Sequence, residues 1–557
     1  MLGRRTVFML GLGALAPGVA QAVPGPDSVA VVANGNDLES VALARLYLEA
    51  RQIPERQLCL LDLPSEHTID LATYEARFEA PLFACLDAAG VSDRIEAVVL
   101  ARGVPLRVTV PTATGDQRAS LAATLGVARS VTATAAEHRL VGRPPGARIS
   151  CGGSTCLGAT WRNPYTAGPF SAEWSAEVQG ILHRPLLVTM LHGRSYLDAA
   201  QLVASATTAD ALGGAAGQFL FMNGADAARG VLDLYFDQIV AGLVDRGFTD
   251  AERVPFQRDL TGRSLAAFFV GTAGLGDTIE GNAFLPGALV DNLTSFGAVP
   301  VNFEPSGESQ VSIARWVSKG VAGVHGTTDE PLNNCFPNRR LILAYVDGYT
   351  LAESYFRYMP FVYWRNLVLG DPITAPYARR PQVDLQGLEA GQVAGSTEVT
   401  VRASSEGQVA RIDLFVDGVR VASGPGPELQ ACLPVPEGEA IQVLAVAQRA
   451  DDGSPGSAPT PKGWRAITVR GLPGPPDCPP PEVDAGTSDA GDDAGAPPPD
   501  AGAPTPDAGT SAPDAGTPDT GAPALEEGGC RVTSGPDAAA LGLLLAGLAL
   551  LGRRRRM

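Results

Sequence analysis

His325 is the histidine whose surroundings best suit hydrolytic chemistry. It stands in Gly323–Pro331, which reads GVHGTTDEP, directly after the predicted strand Val321–Val324. An imidazole at a strand end can take a proton from a serine or cysteine nucleophile. Ser295 is a candidate nucleophile, although no G-x-S-x-G turn surrounds it, and Glu330 is a candidate carboxylate. If the chain is a hydrolase, we expect these three residues to be catalytic.

The order Gly-Val-His-Gly resembles the turn in which caspase-like and gingipain-like cysteine peptidases hold their catalytic histidine, just past a buried strand. Those enzymes need a cysteine thiolate after the following strand. Cys335 follows His325 by only ten residues, which leaves no room for an intervening strand and helix. A surface hydrolase of this kind, active or degenerate, with His325 as its base, is therefore the alternative function. A loop histidine at a strand end is the favoured interpretation.

Further polar residues follow predicted strands and are candidates for ligand binding: Asn34, Asp37, Asp329 and Asp371. Open α/β sheets bind ligands at the carboxyl ends of their strands. The alternative is that Asn34 or Asp37 caps a helix and that Asp371, which precedes a proline, is a turn residue. The chain contains neither G-x-G-x-x-G nor Gly-Lys-Ser/Thr, so we predict no nucleotide-phosphate loop and no cofactor.

The cysteine spacing favours disulfides over metal binding. No zinc-ligand pattern is present, and in an exported protein a C-x₄-C pair is typical of a small disulfide loop. We expect no metal. The candidate pairs are Cys151–Cys156, Cys59–Cys85 and Cys432–Cys478.

Residues 23–380 contain the elements that must position these side chains. The order strand, helix, strand, helix, strand predicts an α/β domain with a doubly wound, mainly parallel sheet. The first elements are Ser28–Ala33, Glu39–Arg51, Leu58–Leu63, Tyr74–Ala89 and Ile95–Arg102. Later strands are predicted at Pro185–Leu191, Gln218–Met222, Ala266–Val270 and Val321–Val324, with helices at Leu197–Leu212 and Leu232–Arg246.

Residues 381–471 alternate apolar and polar side chains in short runs. Val409–Val416 and Val419–Val421 flank Asp417-Gly418, a pair that favours a tight hairpin. The stretch IDLFVDGVRV, residues 412–421, resembles bacterial immunoglobulin-like modules. The resemblance implies a small all-β Ig-like sandwich that serves as a stalk or an adhesion module.

Residues 472–527 form a predicted disordered linker rich in proline and in Asp-Ala-Gly. Gly471–Cys530 holds twelve acidic residues and no basic one, which accounts for much of the net charge of −18. Such a segment cannot bury enough apolar surface to fold, and its charges repel one another. No basic patch remains elsewhere in the chain, so we exclude nucleic acid as a partner.

Both ends of the chain are predicted to be sorting signals. Residues 1–22 have a basic start, an apolar stretch and a small-residue cleavage site ending at Ala22, which is typical of a secretory signal peptide. Residues 528–557 contain Cys530, an apolar segment at 538–552 that is a candidate transmembrane helix, and Arg553–Arg556. The arginines should stay cytoplasmic before processing.

The order of Gly-Cys, apolar helix and arginine cluster resembles the MYXO-CTERM sorting signals of myxobacterial surface proteins. The resemblance implies processing and lipidation near Cys530 and anchoring of the ectodomain at the cell surface or outer membrane. The expected partners are the export and sorting machinery, with the membrane contacted through the C-terminal segment before processing. Export by the Sec or by the twin-arginine route is left open, since Arg4-Arg5 is compatible with either.

A series of short motifs over about 350 residues resembles an uncharacterised family of secreted bacterial proteins. The resemblance implies no particular activity. His192 in Met190–Gly193 departs from it, because relatives tend to have an aspartate there. We therefore predict an exported, surface-anchored binding or structural ectodomain with no demonstrable enzymatic activity. The motifs are Val32–Ser40, Arg51–Pro54, Arg102–Leu106, Asn163–Tyr165, Pro286–Ala288, Thr294–Gly297, Gly326–Pro331, Phe336–Pro337 and Gly370–Pro372.

Overall fold

Strands and helices alternate in the first region of the chain, and the regular elements described after residue 381 are all strands. The computed structural model describes residues 24–111, 116–129, 186–305, 307–331, 333–360, 364–388, 391–450, 460–474 and 478, with four short strands between 150 and 183. All belong to one compact unit, Met1–Pro481.

The strands of the first region are β1 Val29–Asn34, β2 Leu58–Leu61, β3 Thr68–Asp70, β4 Ala97–Ala101, β5 Arg107–Val110, β6 Gln117–Ser120, β7 Ser150–Cys151, β8 Ser154–Thr155, β9 Ala176–Val178, β10 Ile181–His183, β11 Leu187–Leu191, β12 Gln218–Met222, β13 Ala251–Val254, β14 Ser264–Val270, β15 Ala283–Asn292, β16 Gly323–Thr327 and β17 Asn366–Gly370. The helices are α1 Leu38–Arg51, α2 Leu71–Thr73, α3 Ala80–Ala88, α4 Leu121–Gly126, α5 Tyr196–Leu212, α6 Phe236–Asp245, α7 Ile313–Ser318, α8 Leu341–Val346 and α9 Leu351–Tyr358. A π-helical turn, Tyr74–Glu79, joins α2 to α3.

Ten of the described strands form one sheet in the order β13-β12-β14-β15-β16-β17-β11-β4-β1-β2. The paired strands are parallel except β16 and β17, which run antiparallel, and β17 meets β11 at the single pair Leu369–Met190. The large sheet is thus mixed and mostly parallel, as the alternation of strands and helices predicted. Every residue of β1, β4, β11 and β12 is buried, which is typical of parallel strands covered on both faces.

Helices cover both faces of this sheet. A Cβ placed on Gly326 of β16 would lie 2.6 Å from Ile313 of α7, and one on Gly323 would lie 2.5 Å from Leu351 of α9. Residues three apart on a strand point to opposite faces, so α7 and α9 lie on opposite sides. α5 packs against both α1 and α7, which places these three helices on one face.

The region after residue 381 consists of two facing sheets. Its strands pair antiparallel, except that β19 and β25 are parallel, and apolar side chains from both sheets form one separate core. Asp417 and Gly418 adopt positive φ angles of 46° and 78° in the predicted hairpin turn. The strand order is β18-β20-β23 in one sheet and β19-β25-β24-β21-β22 in the other, with β18 Gln382–Gln386, β19 Gln392–Ala394, β20 Ser396–Ser404, β21 Val409–Val416, β22 Val419–Pro425, β23 Glu428–Pro434, β24 Ala440–Arg449 and β25 Lys462–Leu472.

Buried polar contacts join the two regions. Lys462 of β25 places its Nζ 2.9 Å from Asp27 Oδ2, just before β1. The Gln52 side chain, after α1, accepts a hydrogen bond of 3.0 Å from the amide of Ala466. The guanidinium of Arg380 lies 4.6 Å from the centre of the Trp464 ring. The all-β region is therefore packed directly on the α/β region.

Two of the candidate disulfides are present. Cys59 of β2 is bonded to Cys85 of α3, and Cys432 of β23 is bonded to Cys478. The pairing of Cys151 with Cys156, the cleavage site at Ala22, the sorting residue Cys530, residues 479–527 of the linker and the apolar segment 538–552 lie outside the described residues. Within the described part, no helix has the length and apolar character needed to cross a membrane.

Candidate functional site

His325 lies at the centre of a buried polar cluster. The side chain is fully buried in β16, opposite Asp291 of β15. Its Nδ1 lies 3.2 Å from Asp291 Oδ1, and its Nε2 lies 3.0 Å from Asn366 Oδ1. Asn366 donates in turn to the carbonyl of Cys335, at 3.2 Å. Both ring nitrogens are therefore held by protein oxygens.

Arg339 completes what we call the His325 cluster: Asp291, His325, Arg339 and Asn366. It is buried, 2.5 Å from Asp291 Oδ2, and it donates to the carbonyl oxygens of Asp291 and Val270 at 2.6 and 3.0 Å. Burial lowers the pKa of Arg339, whereas Asp291 opposes this shift. A general base must reach the proton that it removes. His325 has no such access, so the proposed catalytic role of His325 is not supported.

Ser295 and Glu330 do meet, at the carboxyl ends of β15 and β16. Ser295 Oγ donates to Glu330 Oε1 at 2.8 Å in an exposed position, and Thr327 donates to the Ser295 carbonyl at 2.8 Å. Asp329 lies beside them, with its Oδ2 3.7 Å from Arg365. The structure thus brings Ser295, Asp329 and Glu330 together without an imidazole bonded to the serine.

The side chains of Asn34 and Asp37 form hydrogen bonds within and around the turn after β1. Asn34 Oδ1 accepts from the amides of Asn36 and Leu63, at 3.1 and 3.3 Å, and its Nδ2 donates to Gly103. Asp37 is the N-cap of α1 and accepts from the first amides of that helix. The capping alternative is therefore confirmed, and the ligand-binding prediction for these two residues is not supported.

Asp371 is also structural, and it lies at the other end of α1. It is fully buried, accepts a 2.6 Å hydrogen bond from Tyr47 and is paired with Arg51, the last residue of α1. Arg51 also contacts Asp210, at 2.7 Å. The carboxylate is matched by protein donors, so the structure does not support its assignment to ligand binding.

A second histidine, His192, follows β11 at the edge where β1, β2, β4 and β11 end. It is 2% exposed and packs edge-on against Phe303, with ring centres 4.5 Å apart. Its Nδ1 lies 3.0 Å from the carbonyl oxygen of Gly193. Its Nε2 is buried and has no hydrogen-bond partner among the described residues.

Arg102 and His67 share this edge with His192. Arg102 directly follows β4, and its Nε is likewise buried without a partner in the described part of the chain. Its Nη1 lies 2.6 Å from Glu39 Oε2. The rings of His67 and His192 are 6.0 Å apart, and the partly exposed His67 lies 3.4 Å from Glu304. We call this group the His192 site: His67, Arg102, His192, Phe303 and Glu304.

The titration of both histidines reflects burial and the nearby arginine. Burial, His67 and Arg102 together lower the pKa of His192 to about 3. Burial also lowers the pKa of His67, with Arg102 acting in the same direction and Glu304 opposing it. His192 is therefore neutral at pH 7. Because a carbonyl oxygen can only accept, the proton of His192 sits on Nδ1 and its Nε2 carries a bare lone pair.

Neither the His192 site nor any other group in the described residues gathers three metal-binding side chains. A cavity of about 870 Å³ lies elsewhere, between the carboxyl end of α1 and the all-β region. It includes the matched ion pair Arg45–Glu55, at 2.9 Å. Both places contain a buried atom without a partner in the described residues, Gln442 Oε1 in the cavity and His192 Nε2 in the His192 site. The His192 site is the one that lies at strand ends, where α/β sheets bind ligands.

Sequence reasoning did not assign a role to His67, Arg102 or His192. Arg102-Gly103 and His192-Gly193 each follow a buried strand directly, which is the signal that would have found them. Gly103 has a φ of 95°, and a Cβ there would lie 2.5 Å from Asp37 Oδ2. A Cβ on Gly193 would lie 2.4 Å from Asp198. Each glycine thus lets the chain turn tightly beside the start of a helix.

No protein-family model and no curated protein matches this chain. Among solved structures, a protease is 12% identical over 80% of this chain and 97% of its own, with a TM-score of 0.38. Fibronectin(III)-like modules of Clostridium thermocellum CbhA are 22% identical over 16% of this chain and 99% of their own, with a TM-score of 0.13. A CARDB domain from Pyrococcus furiosus is 13% identical over 17% and 97%, with a TM-score of 0.12. Likenesses of this size identify neither a fold nor an activity.

Proposed function

We propose that this chain is an exported, surface-anchored protein whose α/β region binds a ligand at the His192 site. The all-β region is an Ig-like sandwich, the Asp-Ala-Gly segment is a spacer, and the C-terminal tail is a sorting signal processed near Cys530. In this proposal the chain recognises a molecule outside the cell and does not convert it.

The unmatched Nε2 of His192 is the observation that carries the binding proposal. Buried polar atoms in folded proteins nearly always have a partner, and an exception calls for an explanation such as a missing ligand. Several buried atoms of the described residues lack a partner, and this one lies at the carboxyl edge of a mostly parallel sheet, where α/β proteins bind ligands. Arg102 adds a second unmatched atom at the same edge.

The Ig-like assignment rests on the two facing sheets, their common core and the Asp417-Gly418 hairpin. Contacts such as Lys462 with Asp27 fix this region to the α/β region. The sandwich therefore acts as a rigid base that carries the α/β region. The Asp-Ala-Gly spacer, which would hold both regions away from the cell surface, follows the sandwich in the chain.

The alternative is a surface hydrolase, and the hydrogen bond between Ser295 and Glu330 favours it. A carboxylate that accepts from a serine hydroxyl can act as its base. His325 plays no direct part in this version, since its nitrogens are occupied. Thiol- and serine-reactive activity probes, applied to the full chain and to S295A and H325A variants, test this alternative.

Ligand-observed NMR with a library of small fragments tests the binding proposal on the purified full chain. We expect fragments that bind the wild type and lose binding in H192F, whereas an exposed variant, R45Q, keeps them. If no fragment requires His192 for binding and a serine probe labels Ser295 instead, the hydrolase hypothesis replaces the binding hypothesis.

Mass spectrometry of peptides released by protease from intact cells tests the location. We expect peptides from the α/β and all-β regions and a lipid-modified peptide ending near Cys530. Recovery of intact Arg553–Met557 from surface material would contradict processing.

A further inference from the structure

We propose that the interface between the α/β region and the all-β region is a pH-dependent switch, in which Asp27 and Glu96 share the ammonium group of Lys462. We call these three residues the Lys462 cluster. When both carboxyl groups are ionised, the all-β region is held less tightly on the α/β region. This inference goes beyond the proposed function and does not depend on the His192 site.

The three groups of the Lys462 cluster are brought together across the interface. Lys462 of β25 places its Nζ 2.9 Å from Asp27 Oδ2 and 3.3 Å from Oδ1, and the two side chains are only 8% and 11% exposed. Ser28, the next residue, donates from its hydroxyl to Glu96 Oε2 at 3.1 Å. The amide of Glu96 donates to the carbonyl of Ser28 at 2.9 Å. These bonds fix Glu96 beside the Asp27–Lys462 pair.

The cluster is electrically neutral only while Glu96 carries a proton. Asp27 and Lys462 then cancel one another, whereas ionisation of Glu96 leaves one negative charge in excess. A charge removed from water is unfavourable unless it has its own partner. Burial is the main cause that raises the pKa of Glu96 to about 7, Lys462 opposes this shift, and Asp27 adds to it. The interface therefore favours the protonated form.

Two further carboxylates act on the cluster. Glu353 is buried in α9, and its charge adds to the rise in the pKa of Glu96. Asp413 of β21 acts on Lys462. Burial lowers the pKa of Lys462, but Asp27, Glu96 and Asp413 outweigh burial and raise it. The ammonium group therefore stays charged, and Glu96 is the member of the cluster that changes charge near neutral pH.

Two arginines at the interface bind main-chain oxygens. Arg94 Nε donates to the carbonyl of Asp27 at 2.9 Å, and Arg380 Nη1 donates to the carbonyl of Lys462 at 2.9 Å. Burial lowers the pKa of both guanidinium groups, and nearby carboxylates oppose this shift. Lys462 is thus the cation of the interface whose charge acts most strongly on Glu96.

The all-β region can separate from the α/β region without losing its own core. Phe415, Leu444 and Val446 form a small apolar cluster apart from the core of the sandwich. Trp464 packs against this cluster and against the core of the α/β region. The apolar contact across the interface is thus small beside the two cores. A change of charge in the Lys462 cluster should therefore affect the interface before it unfolds either region.

The sign of the effect follows from the pKa of Glu96. The pKa is about 7 when the regions are in contact and 4.5 for an exposed glutamate, so the associated state binds more protons between these values. The equilibrium constant for association then falls as the pH rises, by at most about tenfold per pH unit. From pH 5.5 to pH 8 we expect a fall of about tenfold or more.

Hydrogen exchange at the Ala466 amide measures separation of the regions. This amide donates across the interface to Gln52 Oε1 at 3.0 Å, whereas Ala445 lies buried in the middle of β24. Exchange of the full chain is followed by mass spectrometry at pH 5.5 and pH 8 and is expressed as protection factors, which removes the intrinsic pH dependence of exchange. We expect the protection of Ala466 to be lower than that of Ala445 at both values and to fall about tenfold or more at pH 8.

Variants separate the switch from a general effect of pH. E96Q can accept from Ser28 but cannot ionise, so Ala466 protection should stay within about twofold between the two pH values. D27N leaves one carboxyl group for one ammonium group and should reduce the fall, although Glu96 itself is unchanged. E280Q is the matched control, since Glu280 is an exposed partner of Arg315, and it should behave as wild type. Thermal midpoints at pH 5.5 report whether each variant is folded.

Three results would overturn the switch. The first is an Ala466 protection factor that does not fall in the wild type, and the second is an equal fall in E96Q. The third is equal protection of Ala466 and Ala445, because the interface would then open only when the sandwich unfolds. None of these results bears on ligand binding at the His192 site, which the fragment experiment with H192F tests separately.

Discussion

His325 and His192 are both inaccessible to solvent, yet only one of them has its hydrogen bonds complete. Asp291 and Asn366 hold the two nitrogens of His325, and Arg339 balances the carboxylate. His192 has one nitrogen matched by a carbonyl and the other by nothing in the described residues. Within the His325 cluster, Asp291 Oδ2 and Arg339 Nε also lack a hydrogen-bond partner among the described residues, although Asp291 Oδ2 lies 2.5 Å from Arg339. The two histidines therefore differ in whether the imidazole itself is held on both sides.

Breaking the His325 cluster should have the largest effect. D291N keeps the size of the side chain but leaves Arg339 buried without its counter-ion, which should destabilise the fold by about 3–5 kcal/mol. Urea unfolding of D291N measures this. The matched control is D237N, whose partner Arg253 forms an exposed pair worth about 1 kcal/mol or less. Equal stability of the two variants would mean that the cluster is not structural.

Removal of the His325 ring should have the next largest effect. H325A leaves Asp291 and Asn366 each without one partner, so we expect a loss of about 2–3 kcal/mol in unfolding free energy. H325A should also leave any reaction with serine probes unchanged. Loss of probe labelling in a variant that keeps its full stability would restore His325 as a catalytic candidate.

The contrast between these histidines marks what the sequence can reveal. Apolar runs such as Leu187–Leu191 and Gln218–Met222 predicted buried strands, because parallel strands are apolar on both faces. Two strands that hold the His325 cluster, β15 and β17, were not predicted, since Asp291 and Asn366 look like loop residues. Their polar side chains are tolerated only because the register places them against His325 and Arg339, and register is a tertiary property.

The His192 site was hidden for a related reason. Arg102 and His192 are ninety residues apart and meet only because β4 and β11 are neighbours in the sheet. The local sequence around Arg102 or His192 does not indicate which strands are neighbours in the sheet. By contrast, the capping role of Asp37 and the Asp417-Gly418 turn depend on adjacent residues, and these were predictable.

Acid should expose the difference between the two sites. The folded pKa of His192, about 3, lies below its unfolded value of about 6.5, so the unfolded chain binds more protons between these pH values. Stability attributable to His192 is complete above pH 6.5 and falls as the pH drops toward 3, by at most about 1.4 kcal/mol per pH unit. Unfolding free energies of wild type and H192F across this window measure the contribution, which H192F should lack. Parallel curves would mean that His192 is not buried as described.

Glu96, beside the buried pair of Lys462 and Asp27, should give the unfolding free energy a pH dependence of the opposite sign. Burial is the main cause that raises the pKa of Glu96 to about 7, and Lys462 opposes it. The folded chain then binds more protons than the unfolded chain between pH 4.5 and 7, so stability falls as the pH rises through this range. E96Q should remove that slope, whereas E39Q, which replaces the exposed partner of Arg102, should keep it.

The smallest effect should come from H192F at neutral pH without ligand. The substitution removes an Nε2 atom that has no protein partner and replaces it with an apolar ring edge. Only the Nδ1 bond to Gly193 is lost, so we expect a change within about 1 kcal/mol, and a gain in stability is as compatible with the site as a small loss. Binding sites commonly retain such unfavourable groups, and their replacement stabilises the fold while function is lost. Urea unfolding of H192F beside H325A makes the comparison directly: a loss as large as that of H325A would show that the His192 network is closed by residues not yet identified, and the case for a ligand there would end.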